Sequence, residues 1–310
     1  MPGNLLQLFP KESRAFWEPL SRDEVNLQEI RLRANQPIIV LGNHGERMLA
    51  SDGSYTREAS RAVYADEREI SCILQHICHY SLYAFEDELR QGFVTVAGGH
   101  RVGIAGQVVL EGEKIRTIKH ISCLNIRIAH QIKGAADGIL PQIYRGGRPL
   151  NTLIISPPGC GKTTLLRDLV RQVSDGNDYG RGCSVGVVDE RSEIAGCFQG
   201  IPQNDVGMRT DVLDGCPKDL GMMMLLRAMS PQVIAVDEIG SDRDTQALHM
   251  ASRCGCTILA TIHGEGVQDV LLREGMRQLF AEQMFERILI LQKTQDRFTV
   301  KVMNGGEIHA

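Results

Sequence analysis

Residues 156–164 read Ser-Pro-Pro-Gly-Cys-Gly-Lys-Thr-Thr, between an apolar run and a stretch with helical periodicity. Glycines, a lysine and a hydroxyl at a helix start are the residue types that triphosphate capture requires. Glycines let consecutive backbone N–H groups converge on phosphate oxygens, and the helix N-terminus favours the anion. Lys162 is expected to reach the β- and γ-phosphates and the Thr163 hydroxyl to bind Mg²⁺. The expected nucleotide-binding segment is therefore Ser156, Pro157, Pro158, Gly159, Cys160, Gly161, Lys162, Thr163 and Thr164. Ser156 stands where such loops lead with glycine. Its small side chain weakens the loop only modestly, provided its backbone does not need a positive φ.

Phosphoryl transfer to water also needs carboxylates for the metal and the nucleophile. In VIAVDEIG four apolar residues end in Asp237 and Glu238, the Walker-B form. Asp237 is expected to serve Mg²⁺, and Glu238 to polarise the attacking water as general base. A second run, SVGVVD, ends in DERSE and brings Asp189, Glu190 and Glu193 to a strand end. Asp189 is a further candidate for the metal. Glu190 competes with Glu238 for the base role, and Glu238's place beside the metal aspartate favours it. CTILATIH carries Thr261 and His263 to the same edge, where His263 is suited to sense the γ-phosphate. Developing charge is often neutralised by an arginine, in many cases from a neighbouring subunit. Arg209 and Arg227 are the candidates for that role, with Arg191, Arg101 and Arg127 behind them. Taken singly, each reads more readily as a surface or structural arginine.

These residues need elements to hold them. NTLIIS, CSVGVVD, QVIAVD and CTILATIH are near-continuous apolar runs separated by helical stretches, the pattern of an α/β fold with a parallel sheet covered on both faces. Ligands in such folds bind at the carboxyl ends of the strands. ERILILQK and RFTVKVM, around the turn TQD, suggest a closing hairpin, and GMMMLLRAM a buried helix face. The first half reads differently. LQEIRLR alternates, PIIVLGNHGERMLA and FVTVAGGHRVGIAGQVVLEGEK suggest strands joined by glycine turns, and LNIRIAHQI a further strand. Helical spacing runs from about Arg68 to Glu88. That helix carries Cys72, His76, Cys78 and His79, but without a closed ligand set these favour packing over zinc. The glycine- and proline-rich segment 132–151 places a joint near residue 145, giving an α+β domain over 1–145 and the α/β domain over 146–310.

The bulk numbers weigh against several classes. With 34 basic and 38 acidic residues in 310, the net charge of −4 argues against a constitutive nucleic-acid binder. No run approaches the ~18 apolar residues of a membrane span. The first residues lack the layout of a secretory leader. Nine cysteines without a C-x-x-C pair suit reduced thiols in a cytosol.

SPPGCGKTTLLRD, VVDERSEIAGCFQGIPQNDVGMRTDVLDGCPK, MSPQVIAVDEIG and ATIHGEG, in this order, resemble the secretion-superfamily ATPases, within them the stage III sporulation AA family. EIRLRANQP, FEDELRQGFVTVAGGHRVGIAGQVV and SCLNIRIAHQIKGAAD are similar to that family as well, so the resemblance covers nearly the whole chain. It implies a RecA-like P-loop ATPase core with a smaller N-terminal domain, and ATP and Mg²⁺ as cofactors. It implies a homo-oligomeric, usually hexameric, ring at the cytoplasmic face of a membrane complex in the mother cell. The partners it implies are membrane proteins of the sporulation channel, including a stage III sporulation protein AB-like platform. In this resemblance Lys162 and Thr163 match the phosphate loop, Asp189 and Glu190 the acidic box, Asp237 and Glu238 Walker B, and His263 the histidine box. Walker B here has Asp before Glu where many secretion motors carry Gly-Glu, and the paired C-x-x-C zinc element of many type II ATPases is missing. Two further readings stay open: an ATP-gated assembly scaffold with negligible hydrolysis, and a RecA-like nucleic-acid translocase.

Overall fold

The computed structural model describes residues 5–81, 85–294 and 297–308. The chain forms two compact units. One comprises the residues through His130 together with Gly196–Gln203; the other comprises Gln131–Ala195 and the chain from Asn204 onward. The division thus falls earlier than the joint expected near residue 145. The reason is local: the Ala136 N–H donates to the Asp168 carboxylate at 2.9 Å and Asp137 accepts from Gln172 at 2.8 Å, which fastens this segment to the second unit.

The first unit is built on an antiparallel sheet with strand order β4-β3-β2-β1-β7-β6-β5. Its strands are β1 (Leu27–Arg33), β2 (Ile39–Gly42), β3 (Gly45–Leu49), β4 (Tyr55–Thr56), β5 (Phe93–Thr95), β6 (Arg101–Glu111) and β7 (Lys114–Arg127). Leu27, Ile30 and Leu32 bury one face of β1, a bulge between Leu27 and Glu29 breaking strict alternation. Helix α1 (Arg14–Arg22) buries Trp17, on which Phe9 stacks at 4.1 Å. Helix α2 (Glu67–Ile77) is capped by Asp66, which accepts the Glu69 N–H at 2.6 Å. Its Ile70, Ile73, Leu74 and Ile77 form one apolar face. The helix stops well short of the expected Glu88, because His79 and Tyr80 take positive φ. A separate short helix, Glu86–Gln91, follows, and residues 82–84 lie outside the described residues. Cys72 is exposed, and His76 Nε2 lies 3.0 Å from the Gln7 carbonyl oxygen. Within this unit Phe198 tilts against His79 at 6.0 Å, and Gln203 accepts the Gly98 N–H at 2.9 Å.

The second unit holds a sheet of order β10-β9-β11-β12-β8-β13-β14. The strands are β8 (Thr152–Ser156), β9 (Val185–Asp189), β10 (Thr210–Asp214), β11 (Val233–Val236), β12 (Thr257–His263), β13 (Arg287–Thr294) and β14 (Arg297–Asn304). All adjacent pairs are parallel except β13–β14, the expected closing hairpin, whose turn residues 295–296 lie outside the described residues. β8, β9 and β11 are buried at every position, as strands covered on both faces must be. β10 was not legible as a strand: Thr-Asp-Val-Leu-Asp is half polar because β10 is an edge strand, paired only with β9. Helices α3 (Lys162–Asp175), α4 (Lys218–Ala228) and α5 (Asp242–Arg253) pack on the sheet. In the methionine-rich α4, Met222 and Leu225 enter the core while Met224 stays exposed, so the helix buries one side only.

Candidate functional site

β8 delivers its carboxyl end, Ser156, to the loop that opens α3. Ser156 is fully buried inside the strand and its φ is not positive, so serine is tolerated where glycine usually leads. The left-handed angles occur instead at Gly159 (φ 74°) and Gly161 (φ 84°), where any Cβ would be strained. The loop turns between them, and Lys162 is the first residue of α3.

The parallel register sets Ser156 beside His263 and Val236 beside Ala260, so the ends of β8, β11 and β12 share one edge. There the Thr163 hydroxyl donates to Asp237 at 2.7 Å. The Thr261 hydroxyl donates to the other Asp237 oxygen and itself accepts the Glu238 N–H at 2.7 Å. Glu238 takes a left-handed backbone (φ 54°), a conformation that costs a non-glycine residue about 1–3 kcal/mol and is characteristic of functional turns. It places the carboxylate over the phosphate loop. Glu238 Oε1 accepts from Lys162 Nζ at 2.5 Å and lies 2.8 Å from His263 Nε2, and Arg191 reaches Oε2 at 3.3 Å. His263 Nε2 is also 3.2 Å from Lys162 Nζ, while its buried Nδ1 has no hydrogen-bond partner. Burial alone raises the Glu238 pKa; Lys162, His263 and Arg191 outweigh it and hold the group below the usual glutamate value.

Asp189, Glu190, Arg191, Glu193, Lys218, Asp237 and Glu238 line one cleft. The acids in it have different tasks. Asp189 is buried and accepts the N–H groups of Glu193, Ile194 and Ala195 at 2.8–3.0 Å. Burial pushes its pKa up, against the pull of those three bonds. With both oxygens engaged by backbone, Asp189 braces the acidic loop. Glu190 is ion-paired to Lys218, whose side chain is largely buried. That leaves Glu238 as the carboxylate at the phosphate loop and Asp237 as the one bonded to Thr163.

A hydroxyl and a carboxylate oxygen are hard donors that suit Mg²⁺. That ion keeps several waters and takes one or two protein carboxylates plus phosphate oxygens, so no cage of side chains is needed. The Thr163–Asp237 pair fits this description.

Of the two arginines expected to meet transition-state charge, neither reaches this edge within the chain. Arg209 precedes β10 and donates to the Ser174 carbonyl at 2.9 Å, closing the C-terminal end of α3. Arg227 is exposed in the last turn of α4, which runs back to the amino edge before β11 begins. Two cations were missed in the sequence. Lys218 holds Glu190, and Arg167 of α3 binds the Glu193 and Ile194 carbonyls. Both lie in stretches that carry the family resemblance, SPPGCGKTTLLRD and the block ending DVLDGCPK, but both act on residues more than 25 positions away along the chain.

A mostly parallel sheet with a glycine loop, lysine and hydroxyl at one carboxyl edge is a RecA-like P-loop fold, and solved secretion ATPases share it. The pilus retraction motor PilT with bound ADP superimposes with a TM-score of 0.61 at 13% identity, over 93% of this chain and 82% of that one. The Legionella pneumophila ATPase DotB does so with a TM-score of 0.59 at 16% identity, over 94% and 79%. At these identities the likeness is one of fold. The family profile for sporulation stage III, protein AA matches residues 3–306, and the chain belongs to that family. Stage III sporulation protein AA of Bacillus subtilis (strain 168) is 42% identical over 276 residues, which is 89% of this chain and 86% of that protein.

Proposed function

We propose that the protein is a Mg²⁺-dependent ATPase of the secretion-motor type. It energises assembly of, or transport through, the channel between mother cell and forespore. The observation that carries the reading is the convergence of Lys162, Thr163, Asp237, Glu238 and His263 at one strand edge. In it Lys162 and the N–H groups of residues 159–163 take the triphosphate. Thr163 and Asp237 hold Mg²⁺, which screens the phosphate charge when bound. Glu238, the carboxylate held at the phosphate loop, accepts the proton of the attacking water. His263 reports the state of the γ-phosphate along β12.

Homo-oligomerisation, as a hexameric ring, belongs to the same reading, and so does docking on the channel's membrane proteins from the mother-cell cytoplasm. Among the described residues no helix is long and apolar enough to cross a membrane, so contact with the bilayer would run through those partners. Steady-state ATP hydrolysis tests the proposal. The purified chain should turn over ATP with Mg²⁺, and Glu238→Gln should retain nucleotide while losing turnover by about 10²–10⁴-fold. Nucleotide binding with no hydrolysis by the wild type, alone or with its partners, would favour an ATP-gated scaffold instead.

A further inference from the structure

The acidic loop is fastened by a guanidinium from the phosphate-loop helix. Arg167 lies on α3 four residues beyond Thr163, one helical turn from the phosphate loop. Its Nε donates to the Ile194 carbonyl at 2.6 Å and a terminal nitrogen to the Glu193 carbonyl at 2.5 Å. One turn back on the same helix Thr163 bonds Asp237 at 2.7 Å, and the Glu193 that Arg167 holds by its carbonyl gives its N–H to Asp189, so both aspartates lie beside the guanidinium. An arginine among carboxylates ordinarily forks onto one of them. Here the fork engages two peptide carbonyls, and the positive charge is shared by the cluster. The loop is held from its other side too: Asp189 accepts three of its N–H groups, and Asn204 Nδ2 donates to the Ile194 carbonyl at 3.0 Å.

We propose that Arg167 is a positioning residue with two separable tasks. Its fork ties the acidic loop to the phosphate-loop helix, which sets Glu190 and Arg191 in register with Glu238. Its charge is a resident cation beside Asp237 that competes with the divalent ion there. The inference rests on the nucleotide-site reading above. It goes beyond that reading because it predicts that removing a charge beside the metal carboxylate tightens the metal while slowing the chemistry. A residue that only supports the fold would weaken both.

Two variants separate the tasks. Arg167→Lys keeps the charge and loses the fork; Arg167→Gln loses the charge. Manganese binding is read by electron paramagnetic resonance on the full chain saturated with ADP, and kcat is read with MgATP. Arg167→Gln should bind Mn²⁺ about threefold or more tightly, because a like charge beside the site is gone. Arg167→Lys should leave Mn²⁺ binding within about twofold and lower kcat by about tenfold or more, as misplaced groups do. Unchanged or weaker manganese binding in a folded Arg167→Gln, or wild-type kcat in Arg167→Lys, overturns the inference. If Arg167→Gln does not fold, Arg167→Lys decides: slow turnover with unchanged manganese binding supports the proposal, and joint loss of both contradicts it. A wild type that binds no manganese–ADP defeats the nucleotide reading and this inference together. A wild type that binds it, with variants that fail as stated, defeats this inference alone.

Discussion

The two edges of the second unit's sheet use the same residue types for opposite ends. At the carboxyl edge Lys162, Arg191, Asp237 and Glu238 converge, so that one carboxylate is shared by a lysine, an arginine and a histidine. Glu238 holds a strained backbone to reach them. At the amino edge and along α3, Arg209 closes a helix end, while Asp168 accepts the Ala136 N–H and pairs with Arg171 and Gln172. There each polar group answers a local backbone or side-chain need. Charged residues gathered about one carboxylate at a strand end, with backbone strain, mark a site; charged residues satisfied one by one mark scaffolding.

Substitutions should separate the edges sharply. Lys162→Ala removes the only lysine at the phosphate loop, and hydrolysis should drop at least about 100-fold, the scale of losing a charge-stabilising group; an ATPase assay against wild type reads it. Asp168→Ala should leave turnover per folded molecule unchanged while costing about 2–3 kcal/mol in chemical unfolding, because a buried charged acceptor of several bonds is lost. The pKa of Asp168 carries a sign. Burial would raise it, but its bonds hold it below the ordinary aspartate value. Its stabilisation is therefore full above the unfolded value and fades as pH falls through the folded one. Acid unfolding of wild type should accordingly be steeper than that of Asp168→Asn. Arg209→Ala should lower stability by about 1 kcal/mol and leave the chain's ATP affinity alone. A loss of turnover confined to the assembled oligomer would move Arg209 into a neighbour's site and redraw the contrast. Arg191→Ala gives a subtler effect. Because Arg191 helps to depress Glu238, the acid limb of kcat against pH should move to higher pH. Ser156→Gly should change ATP affinity by no more than about twofold, since Ser156 sits in ordinary strand backbone.

The sequence carried the carboxyl edge well, because strand-end acids and a glycine loop are local signals. Leu153, Ile154 and Ile155 before Gly159, and Val233–Val236 before Asp237, announce their own geometry. What stayed hidden depended on contacts between distant positions. That Asp189 turns its oxygens onto three peptide N–H groups cannot be read from an acid at the end of an apolar run. Nor do Arg167 and Lys218 differ in sequence from any surface cation, though one holds the acidic loop and the other Glu190. In the first unit strand positions were legible from alternation. The end of α2 was not, because His79 and Tyr80 enter the left-handed region without a glycine to announce it.

Titration calorimetry with ATP and Mg²⁺ on wild type, Lys162→Ala and Arg209→Ala tests the central claim most directly. The geometry predicts saturable heat at one site per chain for wild type and Arg209→Ala, and none for Lys162→Ala. Equal binding by Lys162→Ala, or no binding by a well-folded wild type, would contradict it.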